Sequence, residues 1–565
     1  MPPASRSVAL RIIAINDFHG HLEPGDNVIA VPDPHDASRT LPLASGGAAY
    51  LATRVRELRA GAPHSIFVSA GDLVGASPLV SGLFYDESTI AVMNAMGLEL
   101  NAAGNHEFDR GGDELLRLAN GGCAPNASRF HLSCAAAEFR GARFPFIAAN
   151  VAGRDAAPFL APGILREFDG VKVGFVGAVT RSTPGIVRPA GVRDLRFSAE
   201  AQALNTAAAA LRAQGAQTIV AIVHEGGDTE GGINDCANPR GAIFDIERDL
   251  DPAIAVVLSG HTHRAYNCRI GGRVVIQAAS FGRLVAVVDL AIDRASGRVD
   301  AEHTVARNEP VPNGLRRSAS AALQARYPAL APDAAVAALV DDYRERAAPL
   351  GSRTVGHIAE SFDRNATAGG DHALGRLIAD AQLAATREHG AQIAFTNPGG
   401  IRTELRSRRD GGAVTYADLY AVQPFGNSLI TLTLTGAQLR ELLEAQWSAR
   451  NPERARMLQP SRGFSYAWDA QRPVGQRIVA DSLRLDGRAI SADARYRVTV
   501  NDFLAGGGDS FRVLREATNA HTGMLDIEAL VRHLERESAT QPLQADRHPR
   551  ITRVGRRPAT PAAMR

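Results

Sequence analysis

Gly104-Asn105-His106-Glu107-Phe108-Asp109 follows a short apolar run, 98–103, and its reading decides what the first half of the chain is. An Asn offers a neutral carbonyl oxygen to a metal. The His beside it can bond a phosphate oxygen or protonate a leaving group. Asp109, three residues on, is placed to fix that imidazole's tautomer and stabilise its charged form. A Gly-Asn-His triplet alone is ordinary loop chemistry, but four other places in the first half share its grammar.

Arg11-Ile12-Ile13-Ala14-Ile15 reads as a buried strand running into Asn16-Asp17-Phe18-His19-Gly20-His21. A helix follows from about Ala48, with Leu51, Val55 and Leu58 at helical spacing. Ser65-Ile66-Phe67-Val68-Ser69 is a strand ending on Ala70-Gly71-Asp72, and 88–96 is a helix. The strand at 218–223 ends on His224, and that at 253–258 ends on Ser259-Gly260-His261-Thr262-His263. Strands alternating with helices imply largely parallel sheets, whose ligands gather at the carboxyl ends of the strands. Further strands are expected at 171–176, 274–278 and 284–292, the last two as antiparallel strands closing the first domain.

Five strand ends therefore deliver Asp17 and His19, Asp72, Asn105 and His106, His224, and His261 and His263. A Gly-Asp after a strand is usually a turn, and a lone His is usually a satisfied or exposed histidine. Together, however, these are hard-oxygen and imidazole donors without a thiolate. Such a set suits two divalent ions about 3.5–4 Å apart, with a carboxylate bridging them.

At 565 residues the chain is too long for one core, and two domains are expected. With 22% charged residues and a net charge of +2, bulk charge does not drive binding to nucleic acid or a membrane surface. No run approaches the roughly 18 apolar residues that span a bilayer. Met1-Pro2-Pro3-Ala4-Ser5-Arg6 lacks a secretory hydrophobic region, which is read either as a cytosolic protein or as a trimmed or upstream signal. Cys123, Cys134, Cys236 and Cys268 fall as two local pairs with no CxxC spacing. Four cysteines allow three connectivities. Two disulfides bracketing loops, the first tying an Ω-like excursion over 120–144, imply an oxidising compartment, against the alternative of four buried thiols.

Strand signal is lost between about 308 and 328, and 333–347 reads as a helix between domains. In the second half, 372–389 is a helix stopped by Gly390, and 392–395 is a strand leading to Asn397-Pro398-Gly399-Gly400-Ile401-Arg402. Thr435 with Gln438 forms a capping box after a strand at 429–434. The strand at 496–500, the last clear one, precedes Asn501-Asp502-Phe503-Leu504-Ala505-Gly506-Gly507-Gly508-Asp509. This half carries neither a metal ligand set nor a nucleophile–base pair. Phe425 and Phe503 lie in polar, glycine-bearing loops; such rings often plug a core, but in a cleft they would sandwich a planar base. Arg364 and Arg402 suit bidentate contact with phosphate.

The motifs Asp17-Phe18-His19, Gly71-Asp72, Gly104-Asn105-His106-Glu107, His224 and Gly260-His261-Thr262-His263 resemble, in order and spacing, the signature of the calcineurin-like metallophosphoesterases. Asn16-Asp17-Phe18-His19-Gly20, and Asp109 after His106, resemble the 5′-nucleotidase family within it. The resemblance covers about residues 8–536. It implies an N-terminal four-layer α/β/β/α sandwich over 8–307, a linker with a bridging helix over 308–351, and a C-terminal α/β nucleotide-binding domain over 352–536. A disordered tail is expected over 537–565.

It further implies two divalent ions, zinc, manganese or similar. Asp17, His19 and His263 would hold one, Asn105, His224 and His261 the other, with Asp72 bridging; some relatives carry Gln in place of His263. His106 and Asp109 would be the catalytic dyad. In the second domain the resemblance gives Phe425 and Phe503 to the base, Asp509 to the ribose, and Asn397, Gly400, Arg402 and Arg364 to the nucleotide. Ala368 stands where some relatives have a second arginine, which leaves mono-, di- and cyclic nucleotides open. The expected activity is nucleotide phosphohydrolysis of the 5′-nucleotidase type, a metal-activated hydroxide attacking phosphorus in line, with a small-molecule nucleotide and no nucleic acid polymer as substrate. The alternatives on the same fold are a 2′,3′-cyclic phosphodiesterase/3′-nucleotidase and a UDP-sugar pyrophosphatase, then a thiosulfohydrolase or a non-catalytic binding protein. The family is typically exported, so a periplasmic or secreted location is expected.

Overall fold

The computed structural model describes residues 6–124, 132–315, 320–407, 411–449, 453 and 455–555. The chain divides into two compact units, Met1–Ala347 and Ala348–Arg565.

The first unit is built on two six-stranded sheets. Strand Ser7–Ile15 lies at the centre of one, parallel to Ser65–Ser69, which continues parallel to Leu100–Ala102 and Phe146–Ile147. Its other neighbour, Leu284–Asp293, is antiparallel and pairs in turn with Val305–Pro310. In the second sheet Val171–Val179, Thr218–His224, Ile254–Ser259 and Arg273–Ala278 run parallel, with antiparallel edges at Gly163–Phe168 and Ala265–Ile270. Alternate residues of the two sheets meet in one apolar core: Leu10, Ile12, Ala14, Ile66 and Val68 from the first, Val173, Phe175, Val220, Ile222 and Val256 from the second. The period-2 alternation of a strand sends the remaining residues outward. There Leu204, Ala207, Ala208 and Leu211 of helix Glu200–Ala213 cover the second sheet, and helix Ala48–Ala60, burying Leu51, Val55 and Leu58, covers the first. The result is a four-layer helix–sheet–sheet–helix stack. Each buried Leu or Val contributes on the order of 1.5–3 kcal/mol.

The second unit holds a five-stranded and a four-stranded sheet. Strand Ile393–Thr396 is parallel to Arg495–Asn501, which pairs antiparallel with Ser428–Thr435. Thr435 and Gln438 make the expected capping box on helix Gly436–Glu444.

Four expectations are corrected. Residues 274–278 pair antiparallel on one side only, with Ala265–Ile270; on the other they run parallel to Ile254–Ser259, so this strand continues the parallel set and does not close the domain. The segment from 308 does not open a strandless linker, because Val305–Pro310 completes the first sheet. The strand at 496–500 is followed by Thr518–Leu525 and Ile551–Val554. The tail expected to be disordered is therefore structured at least to Val554, where it runs parallel to Phe464–Asp469. Composition misled here because the anchors are few but buried. Ile551 is 1% exposed, and the Arg550 guanidinium grips both Asp380 oxygens at 2.7 Å while also reaching Asp546 at 2.9 Å. Residues 556–565, and 125–131 of the expected Ω-like excursion, lie outside the described residues.

Candidate active site and metal centre

Both sheets of the first unit bring strand ends to one place. Asp17 and His19 follow Ser7–Ile15, Asp72 follows Ser65–Ser69, and Asn105 follows Leu100–Ala102. His224 closes Thr218–His224, and His261 and His263 follow Ile254–Ser259. The turns needed to converge are tight: Asp17, His19, Asp72, His261 and His263 all have positive φ (49°, 49°, 50°, 72° and 57°). Non-glycine residues rarely adopt this backbone and keep it where the surroundings over-determine it, characteristically at functional sites. Gly71, at φ +88°, admits the approach, since a Cβ there would lie 2.6 Å from His224 Nδ1.

Ligand atoms of Asp17, His19 and His263 lie within 4.8 Å of one another, as do those of Asp72, His224 and His261, and of His19, Asp72 and His106. His224 Nε2 is 3.0 Å from Asp72 and 3.2 Å from the Asn105 side-chain oxygen. Asp72 also lies 3.6 Å from His19 Nε2, so its carboxylate stands between the two groups. Two imidazoles are fixed from behind: His19 Nδ1 lies 2.8 Å from the Gly75 carbonyl and His224 Nδ1 2.8 Å from that of Ala70. A carbonyl accepts, so each Nδ1 carries the proton and each Nε2 faces inward, the outer-shell arrangement usual for metal-bound histidine.

The electrostatics agree with a cation site. Burial raises the Asp72 carboxyl, but His224, His106 and His19 outweigh it and hold the group well below the carboxylate range. Burial opposes charge on His224, yet Asp72 and Asp17 pull it up to about 10. A divalent ion would take the place of that proton. The inward set of carboxylates, imidazoles and one amide oxygen fits such an ion.

His106 Nδ1 is 2.7 Å from Asp109 Oδ2, and both side chains are partly open (13% and 17% exposed). The His106 backbone N–H donates to Asp72 Oδ1 at 2.8 Å, tying the dyad to the central carboxylate.

Three supporting residues were not singled out from the sequence. Glu107 is buried and accepts from the backbone N–H groups of Gly104 (2.6 Å), Leu73 (2.8 Å) and Asp72 (2.9 Å), pinning two ligand loops together. Burial, then the charge on Asp72, raises its carboxyl to about 7. Asn16 donates to Asp17 and to the Ala279 carbonyl. Phe281 stacks on His21 at 3.8 Å and meets His263 edge-on at 5.3 Å. Glu107 sits inside the opening motif, but nothing local tells a buried acid from a solvated one.

In the second unit, Arg364 donates to the Arg402 carbonyl at 3.1 Å, and the Arg402 guanidinium lies 5.7 Å from the Phe425 ring centre. Gly400 closes the turn Pro398–Gly400, its N–H donating to the Asn397 carbonyl. The Asn397 amide donates to Asp509 at 3.0 Å. Phe503 packs over Gly508, where a Cβ would come within 2.5 Å of the ring. Arg456, not anticipated, donates to the Asp509 carbonyl at 3.0 Å. Burial raises the Asp509 carboxyl against the pull of Arg456 and Asn397. Cys123–Cys134 and Cys236–Cys268 are disulfide-bonded. No helix among the described residues is long and apolar enough to cross a membrane.

The calcineurin-like phosphoesterase family matches residues 10–265, and the 5′-nucleotidase C-terminal domain matches 354–516. The endonuclease YhcR of Bacillus subtilis (strain 168) is 32% identical over 96% of this chain, which spans 41% of that relative's length. The cell wall protein Lmo0130 of Listeria monocytogenes is 31% identical over 95% of this chain and 68% of its own. Among solved structures, a 5′-nucleotidase precursor from Thermus thermophilus superposes with a TM-score of 0.72 at 24% identity, over 97% of this chain and 100% of that one. The chain belongs to the calcineurin-like metallophosphoesterases that carry a 5′-nucleotidase C-terminal domain. That family comprises phosphoric ester hydrolases and implies divalent metal ions.

Proposed function

We propose that the chain is a 5′-nucleotidase-type phosphohydrolase that removes phosphate from small-molecule nucleotides. The convergence of Asp17, His19, Asp72, Asn105, His224, His261 and His263 beside the His106–Asp109 pair carries this reading. Asp17, His19 and His263 would hold one divalent ion and Asn105, His224 and His261 a second, with Asp72 shared. Bound there, the ions would lower the pKa of water toward neutrality and neutralise phosphoryl charge. His106 Nε2 donates to a phosphoryl oxygen as charge builds in the transition state. Asp109 holds His106 Nδ1 protonated and stabilises its cationic form. In the second unit Phe425 and Phe503 take the base, Asp509 the ribose, and Asn397, Gly400, Arg402 and Arg364 the polar parts of the nucleotide. An exported location is supported by the two disulfides and by the cell wall relative.

Phosphate release from AMP, ATP, UDP-glucose and 2′,3′-cyclic AMP, with and without chelator and with added Mn²⁺ or Zn²⁺, tests the reading. AMP turnover that chelator abolishes and metal restores is expected. Absence of phosphate release from every nucleotide overturns it. The 32% identity to an endonuclease favours a second reading, phosphodiester cleavage in a polymer. A single-stranded DNA arm, read as shortened fragments on a gel because internal cleavage of a phosphodiester frees no phosphate, distinguishes the two.

A further inference from the structure

Asn501 ends the strand Arg495–Asn501 and caps the short helix Asp502–Ala505. Its Oδ1 accepts from the Leu504 backbone N–H at 2.8 Å. A backbone N–H only donates, so this contact fixes which way the Asn501 amide points: Oδ1 faces the helix and Nδ2 faces away. Nδ2 donates to Asn397 Oδ1 at 3.1 Å. With its oxygen taken, Asn397 turns Nδ2 toward Asp509 and donates to Oδ2 at 3.0 Å. Asn501 and Asn397 are 2% and 3% exposed, so bulk water does not compete for these bonds.

We propose that Asn501 is a positioning residue for nucleotide recognition: anchored on Leu504 N–H, it locks the Asn397 amide with its N–H toward Asp509 and thereby aims the Asp509 carboxylate at the ribose hydroxyls. This rests on the nucleotidase reading above. The same side chain caps the helix that carries Phe503, so one residue sets both the ribose contact and the support of one base-stacking ring. Neither function is legible from Asn501 alone, since an Asn before a short helix is an ordinary N-cap.

The cap and the lock separate by substitution. Asn501→Asp keeps an oxygen for Leu504 N–H, and Asp caps helices as well as Asn. It removes the donor to Asn397, whose amide then swings its N–H toward residue 501 and presents Oδ1 to Asp509, acceptor against acceptor. KM for AMP rises about tenfold or more, as expected for losing a hydrogen bond to a charged group, with kcat little changed. p-Nitrophenyl phosphate, which has no ribose, shows no such rise. In an Asn397→Ala background the Asn501→Asp change costs nothing further, because the residue it acts through is gone. If Asn501→Asp lowers the melting temperature, Asn501→Ser, which caps but cannot reach Asn397, replaces it with the same expectations.

An unchanged KM for AMP, an equal loss on both substrates, or additive effects in the double variant overturns the inference and leaves the nucleotidase reading standing. Wild-type protein that hydrolyses p-nitrophenyl phosphate but not AMP overturns both.

Discussion

His106 Nδ1 and Asp109 Oδ2 lie 2.7 Å apart across a single 3₁₀ turn, while the His106 backbone N–H is held by Asp72. The imidazole is thus held through Nδ1, and its backbone through the N–H, before any substrate arrives. His106→Ala is expected to fold and bind metal yet lose about 10²–10³ in kcat, the usual cost of one preorganised stabiliser. Asp109→Asn, which keeps the contact but not the charge, should lose less. Steady-state kinetics beside metal content by atomic absorption decide the matter, and wild-type turnover in His106→Ala would remove it from the mechanism.

Glu107 takes three backbone donors on two oxygens. A glutamine there must turn its NH₂ against at least one of them. Glu107→Gln should therefore cost on the order of 2–4 kcal/mol in urea unfolding and weaken metal binding in calorimetry. Equal unfolding curves would mean the carboxylate is not the clasp described here.

Cys236 and Cys268 close a loop of sequence separation 32. Breaking such a cross-link relaxes the unfolded chain and costs about 2–4 kcal/mol. A reductant, or the Cys236→Ala/Cys268→Ala pair, should lower the melting temperature of the first unit by several degrees in calorimetry. No shift on verified reduction would refute this.

His372 caps helix Ala373–Thr386 by accepting the Gly375 N–H on Nδ1 at 3.0 Å, which requires that nitrogen to be unprotonated. Burial, then the charges of Arg364 and Arg376, pushes the imidazole down to about 4. Between that value and the ordinary 6.5 the unfolded chain binds the extra proton, so stability rises with pH across this window and falls as pH drops through it. Relative to His372→Asn, which caps without titrating, the wild type should lose on the order of 1–3 kcal/mol between about pH 6.5 and about pH 4. Parallel stability–pH curves for the two proteins would exclude His372 as the source.

The donor types and their order were legible in the sequence because each follows a strongly apolar strand whose end is marked by Gly or a polar turn, as in Gly71-Asp72 and Gly260-His261. The helix Ala48–Ala60 and the Thr435–Gln438 box were legible for the same reason, since periodicity and caps are local. Glu107 was not, nor was strand Ile551–Val554. Their places are set by partners far along the chain, Leu73 in one case and Phe464–Asp469 in the other.

Which donors the first unit carries, two carboxylates, an amide and four imidazoles at successive strand ends, was readable from the chain, because residue type and strand periodicity are properties of short segments. Tertiary structure alone set the 3.0 Å and 3.6 Å at which Asp72 meets His224 and His19, the left-handed backbone under five of these side chains, and the hold of Asn501 on the orientation of Asn397. Those are distances and angles between segments up to hundreds of residues apart, and no local pattern encodes them.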